Sequence, residues 1–338
     1  MQIDNFNFSL PKKLIAQNPQ IERSKSKLLV IDRKKDKFYD DIFRNIDKYF
    51  SKNDLIVIND TKVIPARIYG NRKNTSGKVE IFVERILGSN NFMCQVKSTR
   101  KIKKNDIILI GEKIELKVIK NDGLCEIQSL EISVSELLKN FGEVPLPPYI
   151  SRKANKEDVI SYQTVFAKKD GSVAAPTAAL HFDSIILEKL KNKGVKFANL
   201  TLHIGMGTFS TIKSNDINDH EMHSELYCIP SNTLKLIEEC KINNGKIISV
   251  GTTVARALES FYNSQNSTDI FYETNIYIKP GYKFKVVDHL ITNFHLPQSS
   301  LLVMVSAFYK RNKILTAYEY AIKNNYRFFS YGDSTLIL

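Results

Sequence analysis

The 338 residues include no tryptophan, four cysteines and ten prolines, and no apolar stretch longer than Leu301 to Phe308. That stretch is far short of the ~18 to 20 apolar residues of a spanning helix, so a membrane helix is excluded. Met1 to Leu14 carries Asp4 and has no basic region ahead of an apolar one, which excludes a secretory signal. Cys94, Cys125, Cys228 and Cys240 lie far apart with no C-x-x-C pair, which argues against a thiolate zinc site and fits a reduced cytoplasm. Neither G-x-G-x-x-G nor a Walker loop occurs, so dinucleotide and Walker-type nucleotide binding have no support. Acidic residues are also short, 36 against 49 Lys and Arg, a formal net charge of +13. Such an excess signals a polyanionic partner, or else the Lys-rich codon usage of an AT-rich genome. With 43% hydrophobic and 25% charged residues the composition is globular, and the length allows two or three domains.

Asp54-Leu-Ile-Val-Ile-Asn59 reads as a strand buried on both faces, ended by the polar Asn59-Asp60-Thr61. From Val63 to Gln128 short β-rich runs recur (63 to 69, 79 to 86, 92 to 96, 107 to 110, 114 to 119, 124 to 127), punctuated by glycines, as in a small β-barrel or sandwich. Ser133 and Glu136 form a capping box for a helix that Gly142 stops, and Pro145-Leu-Pro-Pro-Tyr149 forces an extended linker. Helix and strand signals then alternate. Asp183 and Ser231 cap helices ended by Gly194 and Gly245, strands run over 197 to 204 and 246 to 250, and a helix spans 254 to 262. The expected fold is a layered, mostly parallel α/β domain, built discontinuously from residues 1–62 and 151–338, with an inserted small β-barrel domain over 63–150.

Four of the six histidines, His181, His203, His220 and His223, fall between positions 181 and 223. In Asp219-His-Glu-Met-His-Ser-Glu225, His220 and His223 are three apart, close enough to share one site. Metal binding completed by Glu225 or His203, acid–base or substrate contact, and structural hydrogen bonding all remain open. Gly205 and Gly207 flank one residue at a strand end, where bare backbone can approach a ligand beside the Thr208 hydroxyl. Gly251-Thr-Thr253, ahead of Arg256, joins strand to helix, where backbone N–H groups favour an anion; a cap is the plainer reading. Thr177, His181, Asn293, His295 and Asp333 lie in polar turns of the kind that line α/β crevices. Phe328 and Phe329 read as core. The densest basic stretch, Lys97 to Lys120, carries a net +5 and includes Lys97, Arg100, Lys101, Lys103 and Lys104, a candidate phosphate-binding surface or simply a solvated face.

Nearly end to end, these strings resemble the S-adenosylmethionine:tRNA ribosyltransferase-isomerases of queuosine biosynthesis. The resemblance rests on Leu14-Ile-Ala-Gln17, Asn59-Asp-Thr-Lys-Val-Ile-Pro-Ala-Arg67, Gly77-Lys-Val-Glu80, Pro145 to Ile150, Tyr162 to Phe166 and Val173 to Phe182. It continues through Leu200-Thr-Leu-His-Ile-Gly-Met-Gly-Thr-Phe209, Asp219 to Glu225, Gly251-Thr-Thr253 with Arg256 to Ser260, Leu290 to Pro297, and Tyr326 to Asp333. Ala179 and Val254 stand where the family usually has glycine and serine. The resemblance implies an α/β domain with an inserted barrel, and transfer of the ribosyl group of S-adenosylmethionine to 7-aminomethyl-7-deazaguanine at the tRNA wobble position. Isomerisation then gives epoxyqueuosine with release of adenine and methionine, and no cofactor beyond S-adenosylmethionine as co-substrate. On this reading His203, His220, His223 and Glu225 supply proton transfers. Asp60, Arg67, Thr177, His181, Gly205, Gly207, Thr208, Thr252, Thr253, Arg256, Asn293, His295 and Asp333 line the pocket. The expected protein is a cytoplasmic monomer with tRNA as partner and no membrane contact.

Overall fold

The computed structural model describes residues 1–209 and 211–338. At its centre lies Leu55–Asn59, all five residues buried, paired in parallel on both sides with Lys196–His203 and Ile247–Val250. Strand side chains alternate between faces, so Leu55 and Val57 enter one apolar core while Ile56 and Ile58 enter another. This double burial is why the segment reads as an unbroken apolar run. Helices Ser231–Ile242, Thr252–Asn263, Ser300–Phe308 and Arg311–Lys323 fill the first core. Helix Ser184–Asn192 and the 3-10 turns Phe43–Tyr49 and Thr177–His181 fill the second.

The nine-stranded sheet runs Tyr272–Thr274, Glu225–Cys228, Lys196–His203, Leu55–Asn59, Ile247–Val250, His289–Asn293, Ser334–Ile337, Lys27–Asp32, Lys37–Ile42. The expectation of a mostly parallel sheet is corrected: four neighbouring pairs are parallel and four antiparallel. Antiparallel strands flank the parallel centre at both sides. Lys37–Ile42, at one edge, is largely exposed and carries Lys37, Asp40 and Asp41, charges that discourage pairing with another chain.

A seven-stranded sheet forms the barrel. Arg67–Arg72, Lys78–Ile86, Asn91–Ser98, Leu124–Ser129, Ile114–Asp122 and Ile107–Ile110 follow in order, and the last pairs back to the first. Closure is tight. A Cβ on Gly70 would lie 2.5 Å from the Leu109 carbonyl, so only glycine lets the two strands meet there. Alternate residues such as Ile68, Ile81, Phe92, Leu116 and Ile127 point inward, and Leu137 and Leu138 of helix Val134–Phe141 complete the core. That helix starts with the expected Ser133–Glu136 capping box.

Two local expectations change. The run 63 to 69 is two strands, because Pro65 has no N–H to give a ladder. Thr61–Val63 pairs in parallel with Lys169–Ser172, and Arg67–Arg72 opens the barrel. Ser231 is the first helical residue rather than the cap, and its N–H donates to Asp269 (3.1 Å). Among the described residues no helix is long and apolar enough to cross a membrane.

Candidate functional site

Three strands, Lys196–His203, Ile247–Val250 and His289–Asn293, end at one cleft, lined by Ile204, Gly251 and Asn293 just at or beyond their carboxyl ends. Ligands of open α/β sheets bind at such ends. Four sequence-distant segments supply the remaining wall: 174–178, Thr208, 251–253 and 292–296, with Tyr149, Phe329 and Ser330 closing it. The lining contains no Asp, Glu, Lys or Arg. Its polarity comes from hydroxyls, an amide, backbone and one imidazole. Gly251 reaches the cleft with φ +94, a left-handed conformation that glycine adopts without strain, and delivers helix Thr252–Asn263 end-on. Of the expected pocket residues, Thr177, Thr208, Thr252, Thr253, Asn293 and His295 line this cleft.

His295 is buried, so its imidazole is lowered to about 3 and is neutral; its Nε2 lies 2.8 Å from Thr292 Oγ1. His181 lies behind the wall. Its Nδ1 is 2.8 Å from Ser26 Oγ, and its Nε2 is 3.2 Å from Asn293 Nδ2. Burial, aided by the charges of Arg327 and Arg23, lowers it to about 3. A neutral ring whose Nε2 accepts from the Asn293 amide fixes that amide's orientation. The same Nδ2 donates to the carbonyls of Phe329 (3.3 Å) and Asp333 (3.4 Å). The Asp333 carboxylate accepts from the N–H groups of Lys27 (3.0 Å) and Arg327 (2.7 Å), while burial raises its pKa. Phe329 holds φ +71, unusual for a side-chain-bearing residue, in a turn pinned by these bonds.

A second cluster sits beside Thr208. Glu225 and Arg256 form a buried ion pair, and Glu225 Oε1 also accepts from Gly205 N–H (3.2 Å) and Thr208 Oγ1 (3.4 Å). The pair thus holds the 205–208 turn against the cleft. Gly207 abuts the His223 ring, where a Cβ would lie only 2.0 Å from Cδ2. His220 meets Tyr277 edge-on, 5.4 Å between centroids. Burial and the neighbouring His223 lower its pKa.

A third cluster lies on the other face of the same strand, because His203 and Ile204 alternate. His203 Nδ1 is 2.8 Å from Thr61 Oγ1, and its ring lies against Gly171 and parallel to Phe271. Burial lowers its pKa, with Asp60 acting against that. Asp60 accepts from Asn199 and Thr201, both at 2.7 Å. The structure therefore distributes the four expected catalytic residues over two clusters rather than one. Among the described residues no three of His, Cys, Asp and Glu are grouped to hold a metal ion. Arg67 lies in the barrel, 3.3 Å from Glu80.

Lys97, Arg100, Lys101, Lys103 and Lys104 are all exposed on the barrel, and among the described residues none of them forms an ion pair. Sequence reasoning missed Tyr149, Phe329 and Ser330 in the cleft wall. Tyr149 ends the proline-rich segment read as a linker. Phe329 is indeed buried, yet it lines the cleft as well.

A sequence model described as queuosine biosynthesis protein matches residues 3–337. A protein of Sulfurihydrogenibium sp. (strain YO3AOP1) named S-adenosylmethionine:tRNA ribosyltransferase-isomerase is 46% identical over 100% of both chains. One of that name from Polynucleobacter asymbioticus is 47% identical, covering 100% of this chain and 98% of that one. A crystal structure of S-adenosylmethionine tRNA ribosyltransferase from Thermotoga maritima aligns with TM-score 0.58 and 32% identity, over 99% of this chain and 100% of the other. The chain belongs to the queuosine biosynthesis protein family.

Proposed function

We propose that the protein transfers and isomerises the ribosyl group of S-adenosylmethionine onto 7-aminomethyl-7-deazaguanine in the wobble position of tRNA, releasing adenine and methionine. The observation that carries this reading is convergence. Four strings of the resemblance to these enzymes, Val173 to Phe182, Gly251 to Thr253, Leu290 to Pro297 and Tyr326 to Asp333, are far apart in the chain yet build one cleft. We assign the enzyme to the cytoplasm, where an RNA substrate would be met.

The chemistry needs a base for a C5′ proton that the sulfonium acidifies, an acid for the departing adenine ring, and a neutral attacking amine. We assign proton transfer to His203, His220 and His223. Burial favours the neutral form of His203, and in the tautomer whose Nδ1–H donates to Thr61 Oγ1 its Nε2 is the proton-accepting atom. Glu225 has its oxygens occupied by Arg256, Gly205 and Thr208, so its part is to position the 205–208 turn. The uncharged hydroxyls of Thr177, Thr208, Thr252 and Thr253, with the Asn293 amide, suit the ribose and base of the co-substrate. The exposed barrel cations suit tRNA phosphates.

Incubation with S-adenosylmethionine and tRNA bearing 7-aminomethyl-7-deazaguanine, followed by mass spectrometry of the nucleosides, is expected to show epoxyqueuosine and stoichiometric adenine. An unchanged wobble nucleoside overturns the proposal. Near wild-type adenine release in all three of His203→Ala, His220→Ala and His223→Ala overturns the proton-transfer assignment.

A further inference from the structure

Phe271 has no part in the chemistry above, yet it is poorly explained as packing. It immediately precedes the edge strand Tyr272–Thr274 and is 43% exposed. Its ring lies 11° from parallel with the His203 imidazole, centroids 5.5 Å apart, and the Lys169 ammonium stands 5.9 Å from its centroid. Among the described residues it is the exposed aromatic ring that stacks on a histidine. An exposed phenyl ring gains little from burial, and its face is what a planar ring would use.

The surroundings select the occupant. Lys168 and Lys169 are exposed, and their N–H groups bond the Asp60 carbonyl at 2.8 and 3.1 Å, which fixes their backbone beside the His203 cluster. Asp269, two residues before Phe271, accepts from the Ser231 N–H (3.1 Å) and feels the Lys169 charge, while Asp170 pairs with Lys62 (3.3 Å), so Lys168 and Lys169 keep their ammonium groups free of a direct ion pair among the described residues. Two residues beyond Phe271, Glu273 pairs with Arg85 of the barrel (3.0 Å), so the ring is continuous with the lobe that carries the unpaired cations. An aromatic face bordered by ammonium groups matches an unpaired nucleobase with its phosphate. We propose that Phe271 is a stacking platform for a nucleobase of the RNA substrate next to the modified one, with Lys169 on the adjoining phosphate. This inference rests on the proposed RNA reaction and deepens it.

Because the chain has no tryptophan, Phe271→Trp introduces a single tryptophan at the ring itself, whose emission is read selectively over tyrosine by long-wavelength excitation. The platform predicts that its emission is quenched by an anticodon stem-loop carrying 7-aminomethyl-7-deazaguanine and unaffected by S-adenosylmethionine alone. It also predicts that Phe271→Ala raises the KM for tRNA roughly 5- to 150-fold, the range of one lost base–aromatic stack, with the KM for S-adenosylmethionine unchanged and Phe271→Tyr near wild type. Unaltered emission at saturating RNA, or an unaltered KM for tRNA in Phe271→Ala while the wild-type protein releases adenine, overturns the platform. Quenching by the stem-loop without any adenine release from the wild-type protein overturns the reaction instead and leaves the platform standing.

Discussion

Gly205 and Gly207 look alike in the sequence, two glycines around one methionine, but their surroundings separate them. A Cβ on Gly205 meets nothing within 4 Å, whereas one on Gly207 would overlap the His223 ring. Gly207→Ala is therefore expected to slow adenine release at least about tenfold, since misplacing a reacting group by ~1 Å costs up to about a hundredfold. Gly205→Ala is expected to stay within about twofold. Equal rates in the two variants would remove His223 from the reaction. Protonation gives a second residue-scale prediction. Burial places His203 and His220 below the ordinary histidine value of about 6.5. Bases that are neutral above that value lose activity only as pH falls beneath it, so the acid limb of the pH–rate profile should lie below about pH 6.5. A limb centred above that value excludes His203 as the base. Stability follows the same sign. His181 and His295 titrate at about 3 when folded and near 6.5 when unfolded. From pH ~6.5 downward the unfolded chain therefore binds protons that the folded one refuses. Each histidine then contributes a loss of about 1.4 kcal/mol per pH unit, so urea unfolding of His295→Gln should show a slope shallower by that amount between pH 6 and 4.

Elements were legible in the sequence where a single physical signal dominated. The apolar run Leu55–Asn59, the Ser133 capping box and, apart from the split run 63 to 69, the glycine-spaced barrel strands stand where the pattern put them. Lys27–Asp32, Lys37–Ile42 and Ser334–Ile337 were not legible. The hairpin's outer strand is charged and exposed, and Ser334–Ile337, with only four residues, is too short to show a period and is buried by a partner from the other end of the chain. The cleft was half legible for a similar reason. Threonines and glycines at strand ends announce themselves, whereas Phe329 lines the cleft from a turn at positive φ and Tyr149 packs its ring against it, a pairing of distant segments. The Glu225–Arg256 pair shows what joins elements here. It ties strand Glu225–Cys228 to helix Thr252–Asn263 at 4 and 5% side-chain exposure. Removing one partner strands a buried charge, so Arg256→Leu should destabilise by about 3–5 kcal/mol in urea unfolding. The double change Glu225→Leu with Arg256→Leu should recover part of that loss, and failure to do so would show that the penalty is not electrostatic.

At the scale of the whole molecule, the formal charge of +13 has a surface to act from. If Lys101, Lys103 and Lys104 each neutralise one phosphate, replacing all three by Gln lowers the slope of log affinity against log salt by about 2 to 3. An unchanged slope would locate tRNA elsewhere. The two lobes also differ in how their contacts are spread along the chain. The barrel closes from neighbouring strands between Arg67 and Ser129. The large sheet, by contrast, seats Ser334–Ile337 between His289–Asn293 and Lys27–Asp32. During vectorial synthesis the barrel can therefore fold while the sheet is still divided. Its first-made hairpin waits for a strand more than 300 positions downstream, exposing apolar edges for most of translation. The Asn293 amide donates to the carbonyls of Phe329 and Asp333, which lie just ahead of that strand, so the cleft wall is completed together with it. A nascent chain still short of residue 334 is thus expected to hold tRNA without reacting with it.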